Sequence, residues 1–328
     1  MQAGATEVRP VANPRPSTAA SCLTSFRVAF VTDVAGTQSA VDADGWRGVS
    51  GALQKLPCAR AERIVSHRPS DYRGNLQAAA DHHDDLVIAG SFLLTDGVVA
   101  AASANPRTHF VLVDPLVVPA DLPNLTVLTF RQDQAAFLAG ALAAMVSRTG
   151  IVAGVYGPGG AADQSNRTGF ERGARYARPD VRVLGAFQPP DAGAPYANPA
   201  WGSAQAETFL RQGTDVIFGA GGTTGVGALR ATAQVGRLCI AADAAAAADP
   251  AVAPCLLTST AAFIDLGVKQ EVADSAAGRW TGGIRDLGLA EHAVGLSPLT
   301  NPRLTPEIRQ RLQTISDLLA SGALATGV

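Results

Sequence analysis

Short apolar runs alternate along the chain with loops rich in Gly, Asp or Thr and with alanine-rich amphipathic stretches. Runs of this kind predict strands, and the amphipathic stretches predict helices. Their alternation favours parallel sheets with helices on both faces, an α/β fold. We expect helices at residues 45–56, 75–82, 97–104, 133–147, 168–177, 203–212, 225–234, 263–278 and 306–321.

The pattern of the first half of the chain recurs in the second half. Apolar runs with similar following loops appear in the same order, those beginning at Phe26, Asp85, His109 and Val127 and then those beginning at Ile151, Asp215, Arg237 and Leu256. Such a duplication predicts two similar lobes. A cleft between two lobes is a common place for a small molecule to bind.

Neither lobe is expected to be one continuous segment. We place a flexible tether at residues 1–23, the first lobe at 24–130 plus about 260–284, and the second lobe at 131–259 plus about 285–328. The chain would then cross between the lobes after Thr129, after Thr258 and near residues 282–288. Several crossings together would act as a hinge.

Composition agrees with a two-lobed globular protein. Of the 328 residues, 47% are hydrophobic and 16% are charged, which is typical of a well-buried chain rather than a disordered one. The net charge of −2, without a cluster of Lys or Arg, gives no electrostatic basis for binding nucleic acid. Gly, Pro or charged residues interrupt every apolar run before it could span a bilayer.

The cysteines and the N-terminal segment bear on the cellular compartment. Cysteines at neighbouring strand positions allow the disulfides Cys22–Cys58 and Cys239–Cys255, which would imply export; four buried free thiols are the alternative. Residues 1–21 are rich in Ala, Pro, Ser and Thr and lack the apolar core of a signal peptide. A mature lipoprotein whose acylated cysteine had been replaced by Met would begin in this way, as would a cytoplasmic protein with a disordered tail.

Ligands of open parallel sheets bind at the carboxyl ends of the strands. The residues predicted there are Asp33, Phe92 and Asp114 in the first lobe, and Asp243 with the glycine loop of Gly221 and Gly222 in the second. Carboxylates suit the hydroxyl or amino groups of a polar ligand, and glycines let the backbone approach it closely. An Asp at a strand end also often caps the following helix, so capping is the alternative role for each acid.

Residues 188–202 have no counterpart in the first half of the chain. Their Pro and Gly content predicts no regular structure. Tyr196 and Trp201 in this insertion are candidates for stacking on a ligand ring, as is Phe92.

Catalysis finds little support in the sequence. None of the five histidines lies at a predicted strand end beside a Ser or Cys nucleophile, and no GxSxG motif is present. The cysteines and histidines also lack the spacing of metal ligands. We therefore predict a binding protein rather than an enzyme, with no cofactor and no metal.

Several segments between Phe26 and Leu296 carry a family resemblance, namely residues 31–36 (VTDVAG), 45–48 (GWRG), 92–96 (FLLTD), 129–130 (TF), 137–140 (FLAG), 169–171 (GFE), 215–218 (DVIF) and 221–225 (GGTTG). In this order they resemble the BMP family, the basic membrane protein or PnrA-like lipoproteins that are the substrate-binding components of ABC nucleoside importers. The resemblance implies a two-lobed type I periplasmic-binding-protein fold and an exported, lipid-anchored protein. It also implies a purine nucleoside as ligand and an ABC permease as membrane partner.

The resemblance also assigns roles to individual acids. Asp33 and Asp114 match cleft acids of the family, and Asp243 matches the acid that holds ribose hydroxyls. Asp42 falls where the family commonly has Asn, and we predict that Asp42 and Asn166 also bind the ligand.

Other cleft positions depart from the family. Its two stacking aromatics align with Val41 and Asn166, and its cleft lysine aligns with Ala262. Either another ring replaces the aromatic clamp or the ligand is not a typical purine nucleoside. The candidate rings are Phe92, Tyr196 and Trp201.

We therefore predict an exported, monomeric solute receptor, at the cell surface or in the periplasm, that closes around a nucleoside-like ligand and docks on a permease. One alternative is a cytoplasmic regulator with the same sensor fold, for which residues 1–21 are too short to form a DNA-binding headpiece. The others are a nucleoside hydrolase and a receptor for a different polar heterocycle.

Overall fold

The computed structural model describes residues 25–115, 117–119 and 121–328. The predicted tether and Cys22 lie outside these residues. In chain order the strands and helices are β1 (Arg27–Thr32), α1 (Ala40–Leu53), β2 (Arg60–Val65), α2 (Tyr72–Asp81), β3 (Leu86–Ala89), α3 (Thr95–Ala104), β4 (His109–Val113), β5 (Leu125–Phe130), α4 (Gln132–Val146), β6 (Ile151–Tyr156), α5 (Ala161–Ala177), β7 (Arg182–Phe187), α6 (Pro199–Arg211), β8 (Val216–Gly219), α7 (Gly222–Gln234), β9 (Leu238–Ala241), α8 (Ala244–Ala247), β10 (Leu256–Ala262), α9 (Ile264–Ala276), β11 (Gly283–Leu287), β12 (Val294–Leu296) and α10 (Pro306–Ala320).

Two six-stranded sheets form the two lobes. The strand order is β11-β5-β4-β3-β1-β2 in the first and β12-β10-β9-β8-β6-β7 in the second. All neighbouring strands are parallel except β10 and β12, which are antiparallel. Strands β1–β5 and β6–β10 therefore occupy equivalent places, which confirms the predicted two-lobed α/β fold.

Burial explains why the inner strands are apolar throughout. Every residue of β3, β4 and β8 is buried, because helices cover both faces of these parallel strands. The edge strand β2 is half-exposed and contains Arg60, Glu62 and Arg63. Only the inner strands therefore produce the continuous apolar runs that reveal the duplication in the sequence.

The chain crosses between the lobes at three places: between β5 and α4, between β10 and α9, and between β11 and β12. The last crossing follows Leu287, a little later than the predicted boundary, because β11 is an edge strand of the first sheet. Neighbouring crossings are hydrogen-bonded: Arg131 N–H donates to Leu287 O (2.8 Å) and Phe263 N–H to Ala293 O (2.7 Å). Since β5, β10 and β11 all enter the crossings at their carboxyl ends, the carboxyl edges of both sheets face one seam, which we call the cleft.

Several helices begin earlier than the sequence predicts. Helix α1 begins at Ala40 instead of residue 45, and α5 begins at Ala161 instead of 168. Each first turn contains a buried acid, Asp42 in α1 and Asp163 in α5, and lacks the apolar periodicity that predicts a helix. Helix α6 begins at Pro199, so the prediction of no regular structure across residues 188–202 is wrong at its end. Asn198 caps this helix by accepting a hydrogen bond from Trp201 N–H (3.0 Å), with proline in the first turn.

The disulfide Cys239–Cys255 is present and joins β9 to the start of β10, with the two Cα atoms 5.1 Å apart. It confirms this one of the two predicted pairings. Cys22–Cys58 stays a prediction, because Cys22 lies outside the described residues. Among the helices of residues 25–328 that the structure describes, none has both the length and the hydropathy of a bilayer span.

Candidate functional site

Each sheet has one place where the connections leave its strands in opposite directions, and in α/β folds this switch point is where ligands bind. The first switch point lies between β1 and β3, and the second between β6 and β8. At the first, Asp33 follows β1 and is 5% exposed. Its Oδ1 accepts a hydrogen bond from Ala35 N–H (2.7 Å), and its own N–H donates to Asp42 Oδ2 (3.1 Å).

Asp42 lies beneath the first switch point. It is fully buried, and its Oδ1 has no hydrogen-bond partner among the described residues. A Cβ at Gly90 would lie 2.2 Å from this oxygen, so the loop after β3 can pass here only because residue 90 is glycine. Burial, and secondly the negative charge of Asp33, raises the pKa of Asp42 to about 7. The burial favours a role in holding the Asp33 backbone over direct contact with a ligand.

The second switch point is built from glycines. Gly221 has φ +114°, and a Cβ there would lie 2.3 Å from Gly157 N. Gly222 has φ +60°, and a Cβ there would lie 2.7 Å from Tyr196 O. Both glycines are therefore required by the close approach of the loops after β6 and β8 and of the insertion. They let three segments of the chain meet at the second switch point.

Asp163 organises the second switch point and was not singled out in the sequence. It is 3% exposed. Its Oδ1 accepts from Gly157 N–H (3.2 Å), and its Oδ2 accepts from Gly159 N–H (3.0 Å), Gly160 N–H (3.2 Å) and the Tyr196 hydroxyl (3.0 Å). Asp42 and Asp163 are each the third residue of the helix that follows the first strand of their half. An acid at this repeated position was the signal available in the sequence.

Two candidate rings lie beside the switch points. Phe92 begins a short 3₁₀ helix after β3 and is 41% exposed. Tyr196 is also 41% exposed, and it is held in a left-handed conformation (φ 61°) by hydrogen bonds from Thr223 and Thr224 to its carbonyl oxygen. Partial burial, and secondly the charge of Asp163, raises the pKa of its hydroxyl, which therefore stays a hydrogen-bond donor. Trp201 instead packs against the core between α6 and the second sheet, which favours a packing role.

The remaining predicted residues lie in different settings. Asp114 follows β4 in a left-handed conformation (φ 47°), and burial raises the pKa of its carboxyl to about 6. Asp243 follows β9, is exposed, and caps α8 by accepting from Ala246 N–H (2.7 Å). Asn166 is half-buried in α5. At the other positions that depart from the family, Val41 and Ala262 pack against the main core.

The raised pKa of Asp42 predicts how stability depends on pH. The folded protein holds this proton more tightly than the unfolded chain, so folding is favoured at low pH and loses stability as the pH rises from about 4 to about 7. Asp42→Asn removes the buried charge. We expect its free energy of unfolding to exceed that of the wild type by roughly 1–2 kcal/mol at pH 8, with a several-fold smaller gain at pH 4.5. Chemical denaturation at the two pH values measures both quantities.

A matched control comes from the same helix. Asp44 is partly exposed and pairs with Arg47 at 2.6 Å, so Asp44→Asn should show no gain at pH 8. A pH dependence of Asp42→Asn that parallels the wild type would contradict the buried charge at this position.

Comparison with known proteins shows which family this sequence belongs to. The sequence matches the profile of the family described as "ABC transporter substrate-binding protein PnrA-like" over residues 31–319. Basic membrane protein D of Borreliella burgdorferi (strain JD1) is 29% identical over 190 residues, which cover 57% of this chain and 54% of the relative. The ABC transporter nucleoside-binding protein BmpA of Lactococcus lactis subsp. cremoris (strain MG1363) is 27% identical over 208 residues, covering 62% and 57%.

The chain thus spans about half the length of the curated relatives it matches. Among solved structures, a solute-binding protein of an ABC transporter system from Conexibacter woesei DSM 14684 superposes with a TM-score of 0.72 at 19% identity, covering 92% of this chain and 98% of that one. This likeness shows a shared fold. Because the family match runs through both lobes and all three crossings, the chain belongs to the PnrA-like family of ABC transporter substrate-binding proteins, which are binding proteins rather than enzymes.

Proposed function

We propose that the protein binds a nucleoside, or a related polar heterocycle, in the cleft as the substrate-binding component of an ABC importer. The observation that carries this proposal is the presence of one exposed ring beside the switch point of each lobe, Phe92 in the first and Tyr196 in the second. The family match and the name of the Lactococcus lactis relative support the same ligand class.

The two rings would replace the aromatic pair that is missing at Val41 and Asn166. When the lobes close, Phe92 and Tyr196 approach a ligand base from opposite lobes. Stacking of a base on an aromatic side chain contributes about 1–3 kcal/mol. A ligand that contacts both rings therefore stabilises the closed form relative to the open form.

The acids at the strand ends would bind the polar part of the ligand. Asp33 and Asp114 in the first lobe and Asp243 in the second present carboxylate oxygens, which accept hydrogen bonds from hydroxyl and amino groups. Asp243 is the most exposed of the three, and only one of its oxygens is engaged in capping α8. Its other oxygen would accept a hydrogen bond from a ribose hydroxyl of the ligand.

The proposed location is outside the cytoplasm. Disulfides persist in oxidising compartments, and Cys239–Cys255 is fully consistent with such a location. In this proposal the protein is a monomer with a lipid anchor at its mature N-terminus. Its closed form docks on a membrane permease.

Titration calorimetry with adenosine, guanosine, inosine, uridine and the free bases tests the ligand class. We expect saturable binding with one site per chain. Chromatography of the mixture should recover the ligand unchanged, because a binding protein releases its ligand without breaking a bond. Release of a free base from a nucleoside would instead support a hydrolase, and the absence of binding by any of these compounds would contradict the proposed ligand class.

Asp243 provides the residue-level test. Asp243→Ala is expected to weaken nucleoside binding by more than about tenfold, which is about 1.4 kcal/mol, measured by calorimetry. Asp243→Ser keeps an N-cap side chain for α8 but removes the carboxylate. It should therefore weaken binding as much as Asp243→Ala while remaining as stable as the wild type. Wild-type affinity in the Ser variant would show that Asp243 acts only as a cap.

A further inference from the structure

A cavity lies outside the cleft, beside the last crossing. It has a volume of about 500 Å³, within the usual range for small-molecule pockets. Its apolar wall comes from the end of α1, from α9, from the end of β11 and from the crossing, and includes Ala52, Leu56, Leu266, Leu287 and Ala293. None of the predicted cleft residues lines it.

Both lysines of the chain line this cavity. The sequence contains 26 Lys and Arg residues, and among them only Lys55 and Lys269 are lysines. A side-chain carbon at Gly51 would lie 3.6 Å from Lys269 Cδ and 4.0 Å from its Nζ, so the Lys269 side chain lies along α1. Lys55 follows Gly51 by about one helical turn. Both side chains line the cavity, Lys269 along α1 and Lys55 just beyond the end of that helix.

These two positive charges are in no ion pair among the described residues. Arg285, which also lines the cavity, is neutralised by Glu271 and Asp274. One carboxylate, Glu291, also lines the cavity and accepts a hydrogen bond from Gly288 N–H (2.8 Å), so two unpaired ammonium groups stand against one acid. Lysine is a compact point charge that suits a carboxylate or phosphate without bidentate geometry.

We propose that this cavity is a second binding site, for a small amphipathic anion with a carboxylate head and an apolar body. The head binds the ammonium groups of Lys55 and Lys269, and the body packs against the apolar wall. Burying an apolar chain stabilises the complex by about 0.8 kcal/mol per CH₂ group, and the lysines determine the orientation of the anion. This site does not depend on the ligand of the cleft.

Acylation of lysines tests the proposal on the intact protein. An N-hydroxysuccinimide ester modifies Lys55 and Lys269, the only lysine side chains, and peptide mass spectrometry measures each rate. Octanoate is expected to slow both rates at least about fivefold. Acetate, which has the charge without the apolar body, and 1-octanol, which has the body without the charge, should have no effect.

Lysine variants distinguish binding of octanoate at this site from a nonspecific slowing of acylation. Lys55→Met with Lys269→Met keeps unbranched side chains and should abolish octanoate binding in calorimetry, whereas Lys55→Arg with Lys269→Arg should retain part of it. Thermal unfolding without ligand verifies that both variants fold. Equal protection by acetate and octanoate, unchanged acylation rates at millimolar octanoate, or wild-type binding in the Met variant would each overturn the proposal.

Discussion

Replacing Gly173 with Ala is expected to lower the free energy of unfolding by about 3 kcal/mol. Helices α4 and α5 pack backbone against backbone, and a Cβ at Gly173 would lie 1.9 Å from Phe137 O. The contact is reciprocal, because a Cβ at Gly140 would lie 1.9 Å from Phe170 O. A carbonyl oxygen inside a helix cannot rotate away, so the helices must separate and expose part of the core. Denaturation by urea measures the loss.

Gly74→Ala is the matched control for this prediction. Gly74 lies in α2, and nothing lies within 4 Å of a Cβ built there. Alanine at this position should leave stability unchanged or raise it by up to about 1 kcal/mol, because it reduces the entropy of the unfolded chain. Equal stabilities of the two variants would show that α4 and α5 have room to adjust.

The packing of α4 on α5 also positions the candidate site. Helix α5 carries Asp163, which holds the glycine loops and Tyr196 at the second switch point. Helix α4 carries Gln134, whose side chain accepts Leu289 N–H (2.8 Å) from the last crossing. The two glycine contacts between α4 and α5 thus connect the last crossing with the second switch point. A Gly173→Ala variant that still folds should bind ligand more weakly for this reason.

The sequence predicted the duplication because inner parallel strands are buried on both faces and so are apolar throughout. It missed β11 and β12 because both are short edge strands, and most of β11 is exposed or only half-buried. The early starts of α1 and α5 were missed for a different reason. Their first turns carry Asp42 and Asp163, which are buried by binding backbone N–H groups rather than by apolar packing.

The difference between burial by apolar packing and burial by hydrogen bonding also limits how well the site can be predicted from the sequence. Acids at strand ends can be recognised in a sequence, but whether a carboxylate faces the cleft or lies beneath it depends on the exact start of a helix. Asp42 and Asp163 occupy equivalent positions, yet Asp163 accepts four hydrogen bonds from described groups and Asp42 accepts one. The repeat in the sequence identifies the two positions as equivalent, but it does not predict that they differ in hydrogen bonding.

Removal of the disulfide Cys239–Cys255 is expected to cost about 3 kcal/mol of unfolding free energy. The bond closes a loop with a sequence separation of 16 residues, and cross-linking a loop of this size restricts the unfolded chain by about that amount. It joins two adjacent strands of the second sheet, so the expected loss falls on the lobe that carries Asp243. The double variant Cys239→Ala with Cys255→Ala, compared with the wild type by urea denaturation, measures the loss.

Reductant separates this disulfide from the predicted Cys22–Cys58 pair. The wild type should lose stability on reduction through both bonds, whereas the double variant should lose only what Cys22–Cys58 contributes. The difference between these two losses is the contribution of Cys239–Cys255, measured without the small cavities that the alanines create. If reduction destabilises the double variant as much as the wild type, the bond between β9 and β10 adds nothing to stability, and its support for a location in an oxidising compartment is lost as well.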